Sequence, residues 1–137
     1  MSKFVQIIDS EFDLGAISFD KENTSEPVQL QKYDSEPGQK WKLTETMDLI
    51  KFQNVENGEC LIRANNTAQS ELILAEDDDQ KASGKKLWCF DEGFIYTSDM
   101  NYGIKVGKRS GGLSLSRTPT KFKMQRVFSL RVNNVTV

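Results

Sequence analysis

Two long stretches of this chain can be laid over one another, and that self-similarity restricts the possible folds more than any other feature. Set "KLWCFDEGFIYTSDMNYGIKVGKRSGGLSLSR" under "QKWKLTETMDLIKFQNVENGECLIRANNTAQSELILAE". Trp88 then falls on Trp41, Phe90 on Leu43, Ile95 near Ile50, Gly103 and Ile104 on Cys60 and Leu61, and Leu113 and Leu115 on Leu72 and Leu74. A third copy is split across the termini: it begins at Phe122, Lys123 and Met124 and is completed by "LGAISF" and "VQLQKY" near the N-terminus. Each copy is too small to bury its own apolar face, so the copies must bury it jointly around a shared axis. The ring positions Trp41, Trp88 and Phe122 lie 47 and 34 residues apart, room for about four short strands per copy. Aromatic side chains at equivalent places fill a common core, each burying roughly 150–250 Å².

The local pattern agrees. No stretch of a dozen residues keeps apolar positions at helical spacing, whereas short apolar or alternating runs recur between clusters of Gly, Asn, Asp, Ser and Pro. The runs "KFVQII", "LGAISF", "VQLQKY", "KWKLT", "DLIKFQ", "ECLIRA", "ELILAE", "KLWCFD", "GFIYTS", "YGIKV", "GLSLSR", "FKMQRV" and "FSLRV" predict thirteen strands, hence a sandwich or closed barrel. Asn57-Gly58 reads as a type I′ hairpin turn, Ser110-Gly111-Gly112 as a second turn, and "SEPGQ" as a breaker. Gln39, two residues before Trp41, is expected to satisfy backbone groups where the chain passes between copies.

At 137 residues the chain is expected to form one domain, 1–137, with no need of a disulfide or metal staple. Its formal charge of -2 provides no basic field for nucleic acid, and no run suits membrane insertion or a signal peptide. The expected location is the cytoplasm, or outside after release without a signal peptide. The Asn-x-Ser/Thr triplets at Asn23, Asn65 and Asn134 would matter only in a secretory lumen. Cys60 and Cys89 sit in apolar runs and are expected as buried free thiols.

Histidine is absent, which removes the commonest general base, nucleophile partner and metal ligand. The acidic run "EDDDQK" lacks the alternating ligands and mid-loop glycine of a calcium loop and reads as a solvated turn. "GIKVGKRSGG" has the wrong glycine spacing for a phosphate loop. Lys105, Lys108 and Arg109 read there as an exposed basic hairpin able to meet an acidic partner. The expectation is a protein that is not an enzyme and carries no metal or cofactor.

A threefold all-β repeat with Gln39-x-Trp41 closing a unit resembles the ricin B-type β-trefoil, the QxW lectin-like family, over nearly the whole chain. "VQLQKYDSEPGQKW" and "NGECLIRANN" carry the resemblance best. It implies an all-β fold, a β-trefoil of three pseudo-repeats of about four strands each, and glycan binding through an aspartate, an aromatic platform and amides near Gln-x-Trp. The chain departs from that pattern: Ser18, Ile62 and Lys105 fall in the aspartate column, and Lys86 and Thr120 in the glutamine column. The hairpin columns read Gln29, Ile73 and Ser114, then Gln31, Ala75 and Ser116. The first unit is the least eroded, with Gln29, Gln31, Tyr33, Asp34 and Gln39 as its candidate ligand-binding residues. In the third unit "SDMNYG" groups Asp99, Asn101 and Tyr102, a second candidate cluster whose other reading is plain turn chemistry. Two functions stay open. One is a lectin-like module that binds glycans weakly and gains from multivalency; the other is a protein-binding trefoil, such as a protease inhibitor or partner-recognition subunit.

Overall fold

The period-two burial of Leu49–Asn54, where every second side chain is buried, is what a strand facing a core on one side requires. It recurs through the chain in a computed structural model, which describes residues 2–10, 15–20, 28–32, 34, 36–79, 84–107, 112–126, 131–132 and 135–136. The strands are β1 (Ser2–Asp9), β2 (Ala16–Ser18), β3 (Gln29–Gln31), β4 (Trp41–Thr46), β5 (Leu49–Asn54), β6 (Cys60–Arg63) and β7 (Leu72–Ala75). They continue with β8 (Trp88–Asp91), β9 (Phe94–Thr97), β10 (Gly103–Val106), β11 (Leu113–Ser116), β12 (Phe122–Arg126), β13 (Arg131–Val132) and β14 (Val135–Thr136). Each of the thirteen expected runs overlaps one of them. β14, paired with β13, was not foreseen.

Six strands form a barrel by antiparallel pairing of β12 with β1, β1 with β4, β4 with β5, β5 with β8, and β8 with β9. The carbonyl of Gly93, at the start of β9, accepts the Phe122 N–H at 2.6 Å and links β9 to β12. The β1–β12 ladder, which pairs Asp9 with Phe122, brings the first and last barrel strands together, so each unit is continuous in the chain and none is split across the termini as the alignment frame implied.

Apart from the separate β13–β14 pair, the other strands make three hairpins, and their registers repeat: Ile17 faces Leu30, Leu61 faces Leu74, and Ile104 faces Leu115. Gln29 bridges to Gly112 and Glu71 to Ser114, while the Val28 N–H donates to the Leu72 carbonyl at 3.0 Å. Each hairpin therefore touches the other two, closing one end of the barrel. This is the β-trefoil, with units β1–β4, β5–β8 and β9–β12.

Barrel and cap are joined in every unit at the same place. Fully buried Trp41 donates its indole N–H to the Ile17 carbonyl, and fully buried Trp88 donates to the Leu61 carbonyl, each at 3.0 Å. The third unit has Phe122, which carries no donor, and there the Thr120 backbone N–H reaches the Ile104 carbonyl at 3.0 Å. Gln39, 2% exposed, uses both ends of its amide: Oε1 accepts the Asp34 N–H at 2.9 Å and Nε2 donates to the Lys32 carbonyl at 2.6 Å. The glutamine before the tryptophan is a backbone clasp, as its position implied.

One turn assignment is corrected. The two-residue hairpin turns with positive φ at both central residues, as type I′ demands, are Met47-Asp48 and Glu92-Gly93. At Asn57-Gly58 only Gly58 is left-handed. Asn54 forces the longer connection: its Oδ1 accepts the Glu56 N–H, its carbonyl the Gly58 N–H, and its own N–H reaches the Glu59 carbonyl. No helix among the described residues is long and apolar enough to cross a membrane.

Truncating either indole removes a core side chain and strands a buried carbonyl. Trp41→Ala and Trp88→Ala are each expected to lower unfolding free energy in urea by about 3–5 kcal/mol. Near-native stability in either variant would show that the indole does not bind that unit together.

Candidate functional site

The first unit folds a shallow concavity of about 100 Å³, lined by Phe19, Gln31, Asp34, Glu36, Gly38, Gln39 and Glu56. Two glycines set its backbone. A Cβ on Gly38 would stand 2.2 Å from the Phe19 carbonyl oxygen, because the Phe19 N–H donates to the Gly38 carbonyl at 2.9 Å. Gly15, at φ +135, would drive a Cβ to 1.9 Å from the Gln31 carbonyl oxygen. A single turn of 3-10 helix, Pro37–Gln39, then carries the chain into β4.

The polar groups have defined duties. Gln39 holds the backbone at Lys32 and Asp34, and the Gln6 amide donates to the Asp34 carbonyl at 2.9 Å. Asp34 is exposed and closes its own turn, Oδ1 accepting the Glu36 N–H at 2.8 Å. Gln31 is half-buried, and its amide makes no hydrogen bond to the described residues.

Of the first-unit candidates, the fold brings Gln31, Asp34 and Gln39 into this concavity. Gln29 stands apart, pairing with Ser18 and bridging to Gly112 at the cap. Tyr33 lies outside the described residues. Phe19, Glu36 and Glu56 were missed; the one available sign was an aromatic ending the run "LGAISF".

The third-unit cluster is a turn held by its own carboxylate. Asp99 Oδ1 accepts the Thr97 hydroxyl at 2.6 Å and the Asn101 N–H at 3.0 Å, while Oδ2 accepts the Asn66 amide at 3.2 Å. The Thr97 hydroxyl first, then the Asn101 amide, hold the Asp99 carboxyl below its usual range. Tyr102 packs against the core with the Arg117 guanidinium 5.9 Å from its ring centre. Asp99 and Asn101 thus share one turn, and Tyr102 anchors its end.

In the second unit the equivalent places carry charge. Arg63 follows Ile62 as Phe19 follows Ser18; it is buried, and its Nε and Nη1 make no hydrogen bond to the described residues. Lys86, in the glutamine column, donates to the Asp77 carbonyl at 2.7 Å, much as Gln39 clasps Lys32. It also meets the Asp77 carboxylate at 3.0 Å, which Lys51 reaches at 2.9 Å. The "EDDDQK" run is therefore not uniformly solvated: Glu76, Asp78 and Asp79 are exposed, and Asp77 is ion-paired. Cys60 is buried and free as expected, whereas free Cys89 is only half-buried; Cys60 lies 3.5 Å from Asp77, and burial first, then the Asp77 charge, push its thiol up to about 11. Such a thiol is not a nucleophile at neutral pH. Among the described residues no group of three or more His, Cys, Asp or Glu is placed to hold a metal ion.

No protein-family model and no curated protein sequence matches this chain. Solved structures do. A ricin B-like lectin of Macrolepiota procera, in complex with lactose, is 16% identical with a TM-score of 0.75, over 91% of this chain and 96% of that one. The designed threefold-symmetric protein ThreeFoil is 13% identical at a TM-score of 0.72, over 90% and 99%. A Polyporus squamosus lectin bound to a human-type influenza-binding epitope is 9% identical at 0.76; 90% of this chain covers 49% of that one, about half its length. At these identities the likeness is one of fold, and the fold is the β-trefoil.

The Asp77 cluster has a pH signature. Hydrogen bonds from Lys51, then Lys86, lower the Asp77 carboxyl from 3.8 to about 2. A depressed carboxyl stabilises the fold above its unfolded value and loses that stabilisation as pH falls through the folded one. The site is partly exposed, so each pair contributes at most ~1 kcal/mol. Asp77→Asn is expected to melt below wild type at pH 5, with the difference shrinking between pH 3.8 and about 2. A melting difference that stays constant from pH 5 to 2 would refute the linkage.

Proposed function

We propose that this chain is a carbohydrate-binding, lectin-like module whose working site is the first-unit concavity. The observation that carries the reading is the convergence of an aromatic residue, an uncommitted amide and an exposed carboxylate, Phe19, Gln31 and Asp34, on one shallow depression. The Phe19 ring covers the apolar face of a pyranose, the Asp34 carboxylate accepts its hydroxyl donors, and the Gln31 amide both donates and accepts. Gln39 acts through the backbone, holding Asp34 in place.

Binding at this site is weak. Ser18 in the aspartate column is 2% exposed and spends its hydroxyl on the Ala16 carbonyl at 2.9 Å. A missing charge-assisted hydrogen bond costs about 1.5–3 kcal/mol, more than tenfold in affinity. The reading is one of recognition without catalysis: the sequence has no histidine, and the Cys60 thiol is held protonated. Solved trefoils of the same fold include the Macrolepiota procera lectin in its lactose complex, which supports a neutral saccharide as the ligand. One observation favours a second reading, a protein partner: Met47, 91% exposed, caps the β4–β5 turn.

A glycan array of neutral saccharides tests the proposal. Selective binding to one terminal sugar is expected, reduced about tenfold or more by Phe19→Ala and by Gln31→Ala, with melting temperatures near wild type. A blank array with multimerised protein, or binding untouched by both variants, would reject the first-unit site; the former would leave the partner surface around Met47.

A further inference from the structure

A second concavity, about 430 Å³, lies at the seam of the second and third hairpins and is lined by Ala68, Gln69, Lys105, Gly107, Ser114, Leu115, Ser116 and Arg117. Its charge is opposite to that of the first-unit site: among the described residues Lys105 and Arg117 line it with no carboxylate, whereas Asp34, Glu36 and Glu56 line the other. No described carboxylate pairs with Lys105 or Arg117.

The surrounding backbone is firmly held. The Gln69 N–H donates to the Leu115 carbonyl at 2.8 Å, and the Leu115 N–H to the Ser70 carbonyl at 3.0 Å. Buried Ser70 further ties the turn through the Asn65 N–H, donated to its Oγ at 2.8 Å. Lys105 stands opposite Ser114 on the β10–β11 ladder, and Arg117 rests against the Tyr102 ring. Glu71 bridges to Ser114 through backbone and is not among the lining residues.

We infer that this concavity is an anion site that takes the sulfate or carboxylate group of an acidic saccharide. Lys105 supplies a point charge and Arg117 a planar fork suited to a sulfate or carboxylate. The hydroxyl of Ser114 and the amide of Gln69 lie beside them for the hydroxyls of the same sugar ring. A neutral sugar forgoes both charge-assisted hydrogen bonds, so it binds more weakly here than an acidic one and is taken in the first unit instead. That the anion is carried on a saccharide rests on the carbohydrate-binding reading; that this concavity takes an anion does not.

The test is amide chemical-shift titration of the full chain with galactose 6-sulfate, glucuronic acid, galactose and sodium sulfate. Saturable shifts at Gln69, Lys105, Ser114 and Arg117 are expected with the two acidic sugars, weakening as salt is raised. Galactose should move only residues near Gln31 and Asp34, so failure at one site is read separately from failure at the other. Lys105→Gln with Arg117→Gln should weaken acidic-sugar binding about tenfold or more, with the remaining amide spectrum unchanged. The proposal is overturned if these residues do not shift, or if the double variant binds as wild type does. Sodium sulfate binding as tightly as the sulfated sugar would overturn its saccharide part, leaving a site for the bare anion.

Discussion

The structure depends on a donor from the fourth strand of each unit, or from the residue leading into it, reaching the carbonyl of the middle residue in that unit's first hairpin strand. Trp41 to Ile17, Trp88 to Leu61 and the Thr120 backbone to Ile104 are three solutions to one requirement. Ladder pairs such as Ile8–Ala16, Gln53–Cys60 and Tyr96–Gly103 also join barrel to cap, but without these three donors three carbonyls would be buried without partners, each costing a desolvation penalty of about 1–3 kcal/mol. Meeting the requirement with an indole also places the largest side chains of the core at the junction. Their burial and their hydrogen bond are one event.

With the frame secured at these junctions, the loops are free to diverge, and the glutamine column shows how. Gln39 clasps backbone with a neutral amide, Lys86 does so with an ammonium that recruits Asp77 and Lys51, and Thr120 accepts the Val106 N–H at 2.9 Å. The chemistry of each unit follows. The first is acidic and amide-rich around Phe19, the second holds buried Arg63 and an ion-paired aspartate, and the third presents Lys105 and Arg117. One scaffold thus carries surfaces of opposite charge, which is why fold alone does not name a ligand.

The repeat was legible because burial imposes strict chemistry. Trp41 and Trp88 had to be large and apolar, and the strand registers reproduce the alignment columns drawn from sequence: Ser18 opposite Gln29, Ile62 opposite Ile73, Lys105 opposite Ser114. Surface turns were less legible. Asn57-Gly58 carries the strongest hairpin signal, yet Met47-Asp48 makes the tight turn, because ladder register outweighs local preference when a two-residue loop is the only connection that fits. The site was half legible for the same reason. Gln31, Asp34 and Gln39 belong to one stretch of sequence, whereas Phe19 and Glu56 reach the concavity from neighbouring turns whose approach the Gly38 and Asn54 hydrogen bonds set.

By itself the sequence determined the number of units, their all-β character, the aromatic core and the clasp at Gln39, since each rests on periodicity or on a buried group that must be satisfied. Only the tertiary structure decided which polar side chains share a surface. Asp77 reads as part of a solvated acidic run until Lys51 and Lys86 are brought to it across strands, and Lys105 reads as part of a basic hairpin until Arg117 and the Gln69 turn are brought to the same concavity. Charges act through space over several ångströms, and the distances between them are fixed by strand pairing between residues far apart in the chain.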